Sequence, residues 1–135
     1  MRLWHYKLIP VLPTKMLVSE WRECIAIKRQ WESGTLKHRL VFYVTKHQKY
    51  YFYKYLVLVV EEMMKRKIKF NLKLIDEISD FCQTNIADLK IKYDENLHYP
   101  EHNNRYLLQC YYNLQEKFDR GIISEEEWDK IADIV

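Results

Sequence analysis

A chain of 135 residues that holds only two glycines, Gly34 and Gly121, and three prolines has few places at which to turn a hairpin. That scarcity is the strongest constraint on its fold, because a sheet of short strands needs a turn after almost every strand. It points to helices joined by short links. With 48% of its residues apolar and 15% aromatic, the chain can build one real core, and it is too short for two comfortable domains. The expectation is all-α: a single compact domain over residues 1–135, several helices with an extended N-terminal arm packed against the first.

Residues 1–13 are aromatic and interrupted by Pro10 and Pro13, which suits an ordered extended arm with Trp4 and Tyr6 as anchors. A helix follows over 14–29, with Thr14 as N-cap and Leu17, Trp21, Cys24, Ile25 and Lys28 at helical spacing. Glu23 then falls near the border of the exposed face, with Glu20 one turn before it. After a turn over 30–34, the basic segment Lys37-His38-Arg39 leads into residues 40–44, a short helix or a strand by periodicity, read as helix because the chain is so poor in glycine and hairpin turns. The longest helix spans 48–69, with a broad apolar band through Tyr55, Leu56, Val59, Val60 and Met63 and a basic end, Lys65-Arg66-Lys67. Two modest helices over 72–82 and 85–92 come next, then a clear one over 101–120 with Gly121 as its C′ residue. The capping box Ser124-x-x-Glu127 opens a last short helix.

The longest apolar run, Leu56 to Val60, is far short of the roughly 20 residues that span a bilayer, and the start lacks a signal-peptide pattern. A cytoplasmic protein with no membrane partner is expected. Cys24, Cys82 and Cys110 are odd in number and widely spaced, so they read as buried structural thiols rather than a disulfide framework or a zinc site. His98 and His102 lie four apart, but Pro100 between them breaks the helix that would aim both at one metal. Neither a metal nor another cofactor is expected.

The net charge of +3 hides an asymmetry: residues 1–73 hold 16 Lys/Arg against 5 Asp/Glu, and residues 74–135 hold 6 against 14. Concentrated positive charge is the footprint of a phosphate-polymer binder. The alternative is that the two halves neutralise each other across an internal interface. The candidate nucleic-acid contacts are Arg2, Arg22, Lys28, Arg29, Lys37, His38, Arg39, Lys65 and Arg66. A chain's α-amino group is the one primary amine whose unperturbed pKa, about 7.7–8, leaves part of it nucleophilic at neutral pH. If the Met1 amine meets the Arg22-Glu23 pair, a carboxylate would stand ready to move protons for it, an arrangement suited to Schiff-base chemistry.

Several pieces fall in the order of a known family. These are Met1-Arg2-Leu3, the segment Leu17-Val18-Ser19-Glu20-Trp21-Arg22-Glu23, a helix over 53–67 ending Glu-x-x-x-Lys-Arg, and Tyr99-Pro100-Glu101-His102. In these the chain resembles the phage-type pyrimidine-dimer DNA glycosylases, small all-helical repair enzymes also called dimer-specific endonuclease V, and their bacterial relatives. The resemblance implies a monomer acting on double-stranded DNA that contains a lesion. An N-terminal amine attacks the sugar C1′ of the damaged nucleotide, expels the base and leaves an imine, and β-elimination then cuts the strand. Carried onto this chain, it implies Met1 as the amine, Glu23 as the carboxylate that stabilises the cationic sugar, and Arg22 and Arg2 as phosphate-facing cations.

Where the family pattern has a histidine in the first helix and an arginine three residues past the glutamate, this chain has Met16 and Ala26. Its end, Glu125-Glu126-Glu127-Trp128-Asp129-Lys130, is acidic where the phage enzymes carry an aromatic, basic tail. Arg2 is also too large for the usual removal of the preceding Met, so the amine would be that of Met1 itself. Two other readings use the same charges without the imine: a non-catalytic nucleic-acid-binding module, and a small helical protein-interaction domain.

Overall fold

The structure, a computed structural model, describes residues 1–92 and 95–135. Among these are six α-helices: α1 (Thr14–Ser33), α2 (Lys49–Lys65), α3 (Leu72–Cys82), α4 (Ile86–Lys92), α5 (Asn104–Asp119) and α6 (Glu125–Ala132). Two short 3-10 helices, Tyr6–Val11 and Phe42–Lys46, complete the ordered elements, and the described residues contain no strand. The all-α expectation holds. No helix among the described residues is long and apolar enough to cross a membrane.

The centre is α2, which touches α1, α3, α4 and both 3-10 segments. Its buried face carries Phe52, Tyr53, Tyr55, Leu56, Val59, Val60 and Met63, a band wide enough to meet neighbours on several sides. Trp31 near the end of α1 closes one side, edge-on to Phe52 at 5.9 Å and to Phe81 of α3 at 5.3 Å between ring centroids. Cys24, Cys82 and Cys110 are all buried free thiols, as the sequence suggested.

Several element ends differ from the sequence reading, each for a local reason. Residues Tyr6–Val11 of the arm wind as a 3-10 helix rather than running extended, opened by His5, whose Nδ1 accepts the Lys7 N–H at 3.1 Å. Pro10 is accommodated there because a short 3-10 turn asks little of its missing N–H. Pro13, not Thr14, is the N-cap of α1, and its carbonyl accepts from Leu17 N at 3.0 Å. At its other end α1 continues past Arg29 to Ser33 and stops at Gly34, whose φ of 74° is the left-handed conformation glycine tolerates best. The segment expected as a helix over 40–44 is the 3-10 turn Phe42–Lys46. The helix expected from Glu101 starts instead at Asn104, because the Asn103 side chain caps it by accepting Tyr106 N–H at 2.9 Å. Gly121 follows its end with φ 78°, and the capping box of Ser124 and Glu127 opens α6 with both bonds made.

The arm is fastened at both ends. Leu3, Leu8, Ile9 and Leu12 are buried, each side chain contributing about 1.5–3 kcal/mol, and Trp4 is nearly so. At the far end Arg66, just past α2, donates to Leu12 O at 2.6 Å, Pro10 O at 3.0 Å and Thr14 Oγ1 at 3.4 Å, while its Nε meets Glu62 at 2.9 Å. The guanidinium thereby satisfies carbonyls that the prolines leave without regular partners. Replacing Arg66 by alanine is expected to cost about 2 kcal/mol, read as a lowered urea midpoint, and to expose the bond after Pro10 to proteolysis.

Candidate active site at the N-terminal arm

The near end of the arm lies across α1. Arg2 N–H donates to Glu23 Oε2 at 3.2 Å, and two residues on Trp4 N–H donates to Glu20 Oε1 at 3.3 Å. Glu20 and Glu23 are one turn apart on the helix, so an extended segment can place alternate amides over both carboxyls. Glu23 is thus held one peptide unit from the Met1 amine, and Arg22 beside it points to solvent. The Arg2 guanidinium sits 5.9 Å from the ring centres of both Trp4 and Tyr106, which orients it by cation–π contact.

Behind the arm lies an aromatic and imidazole layer. Tyr106 O–H donates to Leu3 O, and Tyr6 stacks on His98 at 3.5 Å. His102 Nδ1 accepts Tyr6 N–H at 3.3 Å and its Nε2 lies 2.6 Å from Tyr43 Oη. A neutral imidazole has one donor and one acceptor, so Nε2 carries the hydrogen and donates to Tyr43. Burial lowers the pKa of His102 to about 3, helped by His5 and His98, and that of His98 to about 4, helped by the Lys54 charge and then His5. These two histidines therefore hold the arm. Among the described residues no group of three or more His, Cys, Asp or Glu side chains is gathered as metal ligands.

Glu20 is the residue that sequence reasoning passed over. It is 1% exposed, and burial, followed by the charge of Glu23, pushes its pKa well above the ordinary carboxylate range. Tyr55 of α2 approaches it, with Oη 2.9 Å from Glu20 Oε1 and 2.6 Å from Trp4 O. The signal was present: Glu20 falls on the Leu17, Trp21, Cys24 stripe, and a carboxyl on a core stripe must have partners.

The other candidates divide. Arg29, Lys37, His38, Arg39 and Lys65 are exposed. Lys37, Arg39 and Lys46 ring a shallow hollow floored by Phe42 and Tyr43. Lys28 is buried and paired with Glu32 at 3.2 Å, and Arg66 is engaged with the arm as described. Between the basic and acidic stretches the described residues show one acid–base contact, His47 Nε2 with Glu101 Oε1 at 2.8 Å; the remaining pairs join residues four apart along, or at the end of, one helix. Most of the positive charge of residues 1–73 is therefore left to face solvent or a ligand.

The profile of the pyrimidine dimer DNA glycosylase family matches residues 1–76, more than half the chain and all of the arm, α1 and α2. The chain belongs to this family. It is accordingly a DNA glycosylase, and the substrate of the family is DNA carrying pyrimidine dimers. No curated protein and no solved structure matches the chain. The match covers every residue of the arm–Glu23 contact, whereas Tyr99-Pro100-Glu101-His102 lies beyond it.

Proposed function

We propose that this glycosylase works through an imine between the Met1 α-amine and C1′ of the damaged nucleotide, with Glu23 as its carboxylate and abasic-site lyase activity as its second step. The single observation that carries the reading is Glu23 Oε2 at 3.2 Å from the Arg2 amide, one residue from the amine. The neutral amine attacks C1′ as the glycosidic bond breaks and the base leaves with a proton. That proton comes from the nitrogen by way of the carboxylate; the nitrogen keeps its other hydrogen, and its lone pair opens the sugar ring, whose O4′ takes a proton from solvent, giving the protonated imine. Loss of a 2′ proton to a carboxylate expels the 3′ phosphate, and water releases the amine. A carboxylate at this place stabilises the oxocarbenium-like sugar and accepts those protons.

The exposed Arg22, Arg29, Lys37, His38, Arg39 and Lys65 would take the phosphates of the duplex, and Arg2 would orient the arm. Exposing C1′ requires the nucleotide to leave the stack, which is cheapest at a lesion that already weakens stacking.

Borohydride reduction on a duplex with a defined abasic site tests the chemistry. The expected result is a covalent protein–DNA adduct that disappears when an N-terminal extension converts the Met1 amine to an amide. Absence of adduct from protein with a verified free terminus would overturn the proposal, and salt-sensitive DNA binding without adduct would leave only a binding module.

A further inference from the structure

The hydrogens around Glu20 do not add up if both glutamates are ionised. Tyr55 Oη lies within bonding distance of two oxygens, Trp4 O at 2.6 Å and Glu20 Oε1 at 2.9 Å, yet a phenol has one hydrogen. An ionised carboxylate only accepts, so these contacts need one hydrogen more than Tyr55 can supply. The other titratable groups facing Glu20 are Cys24 on its own helix, Tyr43 from the Phe42–Lys46 turn and Tyr55, and none is a cation. The missing hydrogen belongs on Glu20, the more buried of the two carboxyls.

We propose that Glu20 is a positioning residue for the imine chemistry: as a neutral acid it clasps the arm through Trp4 and Tyr55 and leaves the single negative charge of the pair on Glu23, under the Arg2 amide. This rests on the reading of Met1 and Glu23 given above. The arm crosses α1 at two points, Arg2 on Glu23 and Trp4 on Glu20. A second negative charge at the Trp4 crossing would add repulsion between neighbouring carboxylates to the cost of burying it, and the arm would lift. Burial and the charge of Glu23 both favour the protonated form, in agreement with the hydrogen count.

Two variants separate this role from packing alone. Glu20→Gln keeps the size of the side chain and the one donor and one acceptor of a neutral carboxylic acid beside Trp4 and Tyr55, but it cannot ionise. Glu20→Met keeps the volume and loses every polar contact. Single-turnover trapping rates on abasic duplex should fall with rising alkalinity for the wild type, as Glu20 ionises and the arm loosens. Glu20→Gln should match the wild type within about threefold at neutral pH and lose that alkaline fall, while Glu20→Met drops roughly 10–100-fold throughout with a cooperative melt. If Glu20→Gln reproduces the wild-type pH profile, or Glu20→Met traps at the wild-type rate, the positioning role is overturned.

Carboxyl carbon NMR on the free protein reads the pair without any reaction. One glutamate signal should titrate well above the others and vanish in Glu20→Gln; ordinary titration of every glutamate would overturn the neutral acid. An anomalous carboxyl in a wild-type protein that forms no adduct would overturn the positioning role together with the imine chemistry. That outcome is distinct from active trapping with an unaltered Glu20→Gln profile, which overturns the role of Glu20 alone.

Discussion

Replacing Glu23 by glutamine is expected to slow both adduct formation and strand cleavage on abasic duplex by roughly 10²–10³-fold, the scale on which removal of a preorganised electrostatic group acts. The substitution is nearly isosteric, and its amide oxygen can still accept Arg2 N–H, which Glu23 Oε2 now does at 3.2 Å. The arm should therefore stay down and the melting temperature should barely change. What is lost is a full negative charge opposite a developing cationic sugar and the capacity to take up its protons. Single-turnover cleavage at saturating enzyme separates that loss from any change in DNA affinity. Rates within threefold of wild type would mean that Glu23 is only a surface carboxylate of α1.

Acid should unfold this protein well before its carboxylates alone would require. His102, with its pKa lowered to about 3, and His98, lowered to about 4, are neutral in the fold and would titrate near 6.5 in the unfolded chain; His5 is lowered in the same direction. Between about pH 6.5 and the folded values the unfolded state binds more protons, so stability falls as pH falls through that window. For His102 alone the loss by pH 4 is about 3 kcal/mol. Glu20 acts with the opposite sign: its raised pKa means that the unfolded state releases a proton first, so its contribution falls as pH rises above about 4.5. Three imidazoles outweigh one carboxyl on the acid side, and the urea midpoint should peak near pH 6.5. His102→Gln should lower the midpoint at pH 7, where Tyr6 and Tyr43 lose their bonds, and flatten the acid limb. A wild-type midpoint constant from pH 7 to pH 4 would refute the buried imidazole layer.

Periodicity and turn chemistry made the existence of α2, α5 and α6 readable, because the apolar band of α2, Gly121 and the Ser124 box are local signals, although α2 stops at Lys65 rather than 69 and is shorter than α1. The fold class followed from the same kind of evidence. What stayed hidden depends on partners far along the chain. Arg66 resembles any basic helix end until Pro10 and Leu12 are seen to offer it carbonyls. Lys28 was assigned to the DNA surface on charge, although its helical position already placed it on the core stripe where the structure buries it against Glu32. The placement of Glu23 was legible through Arg22 and the family pattern. That of Glu20 was not, because its meaning comes from Tyr55, 35 residues away.

The ties that seat the arm also set an order of events during synthesis. Tyr6 is bound to His102 across 96 positions, and the Leu3 carbonyl to Tyr106 across 103. The ribosome makes residues 1–6 long before residues 98–106, so for most of translation the arm lacks two of the ties that seat it. A partial chain released early would carry the arm's contacts with α1 and α2 and lack its ties to His102 and Tyr106. Seating of the first six residues is therefore finished only when His102 and Tyr106 have joined the body.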